Sequence, residues 1–179
     1  MEDRRTIKTK KVIKDTFLDL LRTNSINKIS VSEITRIADI GRGTFYCHYL
    51  DVYDLQEQIE DEMCLELSNI FNKTYSTSLD VSELFLAITD YIFGHGEQFS
   101  LLAVQEANNS KLMQKIRQLF VNKIGNLVPE KMLSDYHKVR ILFVVSGVIG
   151  LIDDYLRKDS GIDKDSITSG LNKLMELLR

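Results

Sequence analysis

The sequence contains one proline, Pro129, and no tryptophan, and its nine glycines are scattered without a low-complexity tract. So few breakers in 179 residues leave room for long uninterrupted helices and exclude a collagen-like or proline-rich chain. Cys47 and Cys64 are the only cysteines; their contexts suggest neither a disulfide framework nor a zinc site. His95 and His137 lack cysteine or carboxylate partners at metal-ligand spacing, so exposed or capping roles are expected and no metal is. Long hydrophobic runs are missing too. The longest, Ile141 to Ile152, is twelve residues closed by Arg140 and Asp153, too short to span a bilayer and better suited to a buried helix. The basic N-terminus is not followed by a signal-type hydrophobic region and cleavage site, so a cytoplasmic chain without membrane association is expected. No Ser/His/Asp arrangement, phosphate-cradling loop or metal cluster is present, which argues against an enzyme and against a cofactor.

Net charge is −3, which by itself disfavours a nucleic-acid partner, but the charge is unevenly spread. Arg4, Arg5, Lys8, Lys10, Lys11 and Lys14 face only Glu2 and Asp3 in the first fourteen residues. Residues 1–55 hold ten basic and eight acidic side chains, and the remaining 124 hold 13 and 18. The pattern is that of a basic contact module on an acidic body. A solvated basic tail has the same composition, so both readings stay open.

Apolar spacing predicts an all-α chain of about nine helices. Ile13, Phe17, Leu20 and Leu21 mark a first helix from about Thr6 to Arg22. Ser30-Val31-Ser32-Glu33 is a capping box opening a second, to about Ala38, with Ile34 and Ile37 inward. A third runs from Arg42 to Tyr49. Asp51 to Asp54 opens a long fourth through Leu55, Ile59, Met63, Leu67 and Ile70 or Phe71, before a loop at Ser76 to Asp80. A second capping box, Asp80-Val81-Ser82-Glu83, precedes a fifth helix ending near Gly94 or Gly96. The sixth spans Phe99 to Ala107, the seventh Ser110 to Leu127, and Pro129 marks the next boundary. The eighth covers Asp135 to Leu156 and the ninth Ser166 to Leu178.

The most informative stretch joins the second and third helices. Asp39 can take the positive φ that a tight interhelical turn needs, and Gly41 can cap the third helix at little cost. Ile34, Ala38, Ile40, Phe45 and Tyr49 would bury against the first helix, with Ala38 small enough for a close crossing. This is the geometry of a helix-turn-helix whose second helix enters the major groove of DNA. On that helix Gly43, Thr44 and Cys47 face outward, Arg42 lies at the N-terminal edge, and Tyr46 and His48 flank. Arg42 can donate two hydrogen bonds to a guanine edge. Thr44, Tyr46 and His48 carry donors suited to phosphates, and the helix N-terminus favours them further. Ser30, Ser32, Arg4 and Lys8 complete the candidate DNA contacts. Cys47 on this face is either a small side chain fitting a groove or a redox-sensitive thiol.

Residues Ile34, Ala38, Ile40, Arg42, Gly43, Thr44, Phe45, Tyr46, His48 and Tyr49 resemble the TetR/AcrR family of regulators. That family reads approximately Ile-Ala-x-x-Ala-Gly-Val-Ser-Lys/Arg-Gly-Thr-Leu/Phe-Tyr-x-His/Tyr-Phe before a short acidic link and a long helix, here opened by Asp54 and Leu55. The match covers about fifty residues. Asp39 replaces the turn glycine, Gly41 replaces the capping serine, and Val52 stands where a phosphate-contacting lysine is usual. The C-terminal region resembles that of members from low-GC Gram-positive bacteria.

The resemblance implies a DNA-binding domain over residues 1–50 and a ligand-sensing and dimerisation domain over 51–179. It implies a homodimer on an inverted-repeat operator, a repressor relieved by a small-molecule effector. The alternative is a regulator or activator whose C-terminal domain senses a partner protein. In the family the effector cavity lies among helices that here carry Met63, Leu67, Phe71, Phe85 and Ile88. Tyr91, Phe99, Leu102 and Phe143 belong to the same set; ordinary core packing is the competing account of all of them. Gly147 and Gly150, with Val144, Val148 and Leu151, resemble the dimerising helix, with packing inside one chain as the alternative.

Overall fold

The computed structural model describes residues 3–77, 81–104, 111–127 and 134–177. In chain order the helices are α1 (Arg4–Leu21), α2 (Val31–Ile37), α3 (Arg42–Tyr46), α4 (Val52–Thr77), α5 (Val81–Gly94), α6 (Gly96–Val104), α7 (Lys111–Leu127), α8 (Asp135–Arg157) and α9 (Lys164–Leu177). A 3₁₀ turn at Ile26–Lys28 separates α1 from α2, and no strand occurs among the described residues. The expected all-α class holds. The box at Asp80, the helix ends near Ala107 and Leu178, the start at Ser110 and the boundary at Pro129 lie outside the described residues.

The chain forms two compact units, Met1–Glu62 and Met63–Arg179. The first is built on Ile13, Phe17 and Leu21 of α1, with Ile29, Ile34, Phe45, Tyr49, Val52, Leu55 and Ile59 buried after them. Leu20 is half-buried. Ile37, expected inward, is 48% exposed, and Thr35 takes the inner position at 4%. Thr35 can do so because its hydroxyl donates to Ser32 O at 3.2 Å, so no buried donor is left open. Lys14 of α1 pairs with Glu62 of α4 across this unit.

In the second unit α8 packs against α6 and α7, and α5 against α9. Arg157 bridges two elements: its Nε donates to both oxygens of Asp153 at 3.0 and 3.1 Å, and its Nη2 donates to Ala103 O at 2.9 Å. The second bond reaches a carbonyl near the end of the described part of α6. Ser100 Oγ donates to Leu156 O at 3.0 Å beside it.

Several ends differ from expectation for local reasons. Helix α4 continues through Ser76 to Thr77, and the Ser76 hydroxyl donates back to Lys73 O at 2.7 Å instead of breaking the helix. Helix α6 begins at Gly96 because Phe99 N–H already bonds His95 O at 3.1 Å. Helix α9 begins at Lys164 because Asp163 caps it, its Oδ1 accepting from Ser166 N–H at 2.8 Å and its Oδ2 from the Ser166 hydroxyl at 3.2 Å.

Those bonds hold the Asp163 carboxyl below its ordinary value of 3.8, the Ser166 backbone bond first and its hydroxyl second. A pKa lowered on folding gives stability that is present above the ordinary value and is lost as pH falls through the folded one. Asp163→Asn keeps a capping acceptor that cannot titrate. Its thermal midpoint should therefore fall less steeply than wild type's between about pH 5 and pH 2.

Candidate nucleic-acid interface

The site is assembled from α2, α3 and the first turns of α4. Ser30 has extended backbone (φ −114°, ψ 151°), and its hydroxyl accepts from Glu33 N–H at 3.2 Å, opening α2 as a capped helix. At the other end Ala38 N–H bonds Ile34 O at 2.8 Å, and Ile40 N–H reaches back to Thr35 O at 3.0 Å. That second bond closes a left-handed turn through Asp39, whose φ is 51°. Gly41 then leads into α3 with φ −70° and ψ 146°, its carbonyl accepting from Thr44 N–H at 3.0 Å. The positive φ thus falls on Asp39, and Gly41 has a backbone any residue could adopt.

Phe45 and Tyr49 anchor α3. Both are buried, at 0% and 1%, with ring centroids 5.5 Å apart. Ala38 and Ile40, expected to bury with them, are half-buried. The helix ends at Tyr46 and not at Tyr49, because Cys47 caps it and the chain turns so that Tyr49 can point inward. Tyr49 N–H still bonds Phe45 O at 3.0 Å.

With that face fixed, Arg42, Gly43, Thr44, Tyr46 and Cys47 are exposed and His48 is half-buried. Arg42 makes no hydrogen bond or ion pair among the described residues. Tyr46 is 57% exposed, its ring edge-on to Phe45 at 5.7 Å. A Cβ at Gly43 would meet nothing within 4 Å. Ser30, Ser32, Arg4 and Lys8 are exposed as well. Lys11 and Lys14, part of the same basic segment, are instead committed to Asp15 and Glu62. Val52 lies in the core at 6%, and its neighbours Leu50 and Tyr53 are exposed at 79% and 59%.

Sequence reasoning missed how the link from α3 to α4 is tied. Asp51 Oδ1 accepts from both Tyr53 N–H and Asp54 N–H at 2.8 Å. Asp54 Oδ2 accepts from Leu50 N–H at 2.7 Å and from Gln58 Nε2 at 3.1 Å, and the Gln58 amide also donates to His48 O at 3.3 Å. The three-residue spacing of Asp51 and Asp54 was the available signal, since it is the spacing of a reciprocal cap.

The expected effector residues are mostly buried. Met63, Leu67, Phe71, Phe99 and Leu102 are buried, and Tyr91 is half-buried with its hydroxyl pKa raised by burial first and by nearby Glu66 second. Phe85 and Ile88 line an apolar cavity of about 20 Å³, together with Leu84, Phe120, Ile124, Val145, Val148, Ile149 and Ile152. That is room for about one water molecule, which carbon-lined walls would not hold. Phe143 is the clear misplacement: it is 76% exposed, on the α8 face that carries Tyr136 at 71% and Val139 at 64%. Gly147 and Gly150 continue that exposed face, Val144 and Leu151 are half-buried, and Val148, expected with them, is turned into the cavity wall.

A tripod of short helices presenting an exposed α3, followed by a helical bundle, defines a helix-turn-helix protein. No protein-family profile matches the chain. It superposes on a protein of Syntrophomonas wolfei described as a TetR-family transcriptional regulator, with a TM-score of 0.77, 13% identity and coverage of 96% and 94% of the two chains. The chain therefore has the TetR-type fold. In sequence it is 33% identical over 90 residues to the HTH-type transcriptional regulator YxbF of Bacillus subtilis, covering 48% of this chain and 24% of that protein. It is 36% identical over 66 residues to the dhaKLM operon transcriptional activator DhaS of Lactococcus lactis, covering 37% and 35%. The matched segments thus span about a quarter and a third of these relatives.

The turn gives a direct stability test. Asp39→Gly should raise the unfolding free energy by up to about 1 kcal/mol, and Asp39→Val should lower it by about 2 kcal/mol, because a β-branched side chain is costly at positive φ. Urea unfolding of the two variants measures the difference.

Proposed function

We propose that the chain is a sequence-specific DNA-binding transcriptional regulator that works as a homodimer, with α3 as its recognition helix. The observation that carries this reading is Gly43. A glycine in a helix costs up to about 1 kcal/mol relative to alanine, and nothing among the described residues needs the space. The missing side chain makes sense if an external surface must approach the backbone there. Arg42 and Tyr46 flank it with polar groups that have no hydrogen-bond or ion-pair partner among the described residues, suited to a guanine edge and to a phosphate. Arg4 and Lys8, exposed on one face of α1, add charge for neighbouring phosphates.

The dimer reading is supported by Tyr136, Val139 and Phe143, large apolar side chains exposed along α8 and continuous with Gly147 and Gly150. An apolar stripe of this kind is covered when a second copy packs against it. Two α3 helices would then read half-sites of an inverted repeat about 34–36 Å apart, or a multiple of that. In keeping with the family, effector binding to the second unit would release a repressor from its operator. The small cavity among α5, α7 and α8 favours a second reading, in which the second unit responds to a partner protein and activates. The pocket lined by α5, α7 and α8 has space for about one water and by itself offers a small molecule no ready seat.

Two experiments test the proposal. Affinity for duplexes selected from a randomised pool should fall steeply with salt, and Arg42→Ala should cost about 1–3 kcal/mol and relax specificity at its base. Gly43→Ala should raise stability by up to about 1 kcal/mol while weakening DNA binding. A variant that is both more stable and equally tight on DNA would remove the main support. In sedimentation the wild type should be a dimer, and Phe143→Arg should shift it toward monomer; an unaffected dimer would place the interface elsewhere.

A further inference from the structure

Helix α3 is five residues long. A helix that short does not repay its own nucleation cost, so its direction is set by whatever holds its ends. The Asp39 turn holds the entry, and the buried rings of Phe45 and Tyr49 hold the inner face. Beyond α3 the chain passes through Cys47 and His48 to the buried Tyr49 and on into the Asp51 cap.

One side chain of α4 reaches back to this exit. A glutamine amide nitrogen has two N–H donors, and Gln58 spends both, on His48 O at 3.3 Å and on Asp54 Oδ2 at 3.1 Å. The same Asp54 oxygen accepts from Leu50 N–H at 2.7 Å. One amide therefore ties the carbonyl just beyond α3 to the carboxylate that anchors the opening of α4. The contact to a charged acceptor is the stronger kind of hydrogen bond. Glutamate at this position would have no donor and would face Asp54 with like charge.

We propose that Gln58 is a positioning residue for the recognition helix, locking the exit of α3 to the first turns of α4. Resting on the DNA-binding reading above, it sets sequence discrimination without touching DNA. A recognition element has to be held to a fraction of an ångström by the residues behind it, and loosened support costs discrimination before it costs stability. Gln58 is half-buried, so its stem can be replaced without opening a cavity.

The test uses the full chain, duplexes that the wild type recovers from a randomised pool, and a random duplex of equal length. Gln58→Met keeps the length of the side chain and removes both donors. It should lose about tenfold in affinity for the selected duplex, while random-duplex affinity and the thermal midpoint stay at wild-type values. Gln58→Lys, which restores donors, should recover the selected-to-random ratio, a quantity from which its extra charge cancels. Without DNA, the amides of Cys47 and Tyr49 should exchange faster in Gln58→Met. An unchanged ratio in Gln58→Met overturns the proposal, and so does a parallel loss on both duplexes with a lowered midpoint, which would make Gln58 a general stabiliser. If the wild type recovers no sequence at all, the DNA-binding reading fails and the discrimination role goes with it; faster exchange at Cys47 and Tyr49 would then still support Gln58 as the lock on α3.

Discussion

Burial of Phe45 and Tyr49 is the interaction on which the first unit depends. Their rings enter a small core otherwise supplied by α1, Ile34 of α2 and the start of α4, and they leave α3 only one free orientation about its axis. The exposed row from Arg42 to Cys47 follows from that choice. Shifting the inner face by a single residue would turn Tyr46 into the core and Phe45 into solvent, because neighbouring helical positions differ by about 100°. The presented surface is thus specified by what is hidden behind it.

The charges of this unit divide into two groups by what they already touch. Lys11 and Lys14 are neutralised within the chain by Asp15 and Glu62, and serve α1 and its link to α4. Arg42 has no such partner among the described residues and stands exposed on α3. A raw count of basic residues merges these groups, which is why the charge surplus near the N-terminus gave weak guidance. At the α3–α4 link the local charge is negative, from Asp51 and Asp54, and both carboxylates are occupied with backbone donors. Val52 lies in the core at this point, and the neutral side chains of Leu50 and Tyr53 are exposed beside it.

The features legible in the sequence were those fixed by a few neighbouring residues. The Ser30 cap, the positive φ at Asp39, Gly41 leading into α3 and the inward Phe45 and Tyr49 all follow from local rules of backbone and period. Misreadings arose where a tertiary choice intervened. The buried side of α2 runs through Ile34 and Thr35 and leaves Ile37 out, and Thr35 can be buried there because its hydroxyl finds Ser32 O, which hydrophobicity ranking does not anticipate. Phe143 was assigned to the interior because a large apolar residue on a helix carries no label for the side it faces. The spacing of Tyr136, Val139, Phe143, Gly147 and Gly150, in steps of three and four, held that information once α8 was seen to have two apolar faces. The Gln58 tie spans ten residues to His48 and rests on an amide whose partners are set by the fold, so no local rule points to it.

The cavity among α5, α7 and α8 has a mechanical meaning apart from binding. Unfolding abolishes voids, so an empty volume of about 20 Å³ makes the unfolded second unit smaller by on the order of ten millilitres per mole. Hydrostatic pressure therefore acts on this unit through a defined internal defect, walled by Phe120, Val145 and Ile152. The wall is carbon throughout, so the packing of these three helices can close over the space without a hydrogen bond being broken.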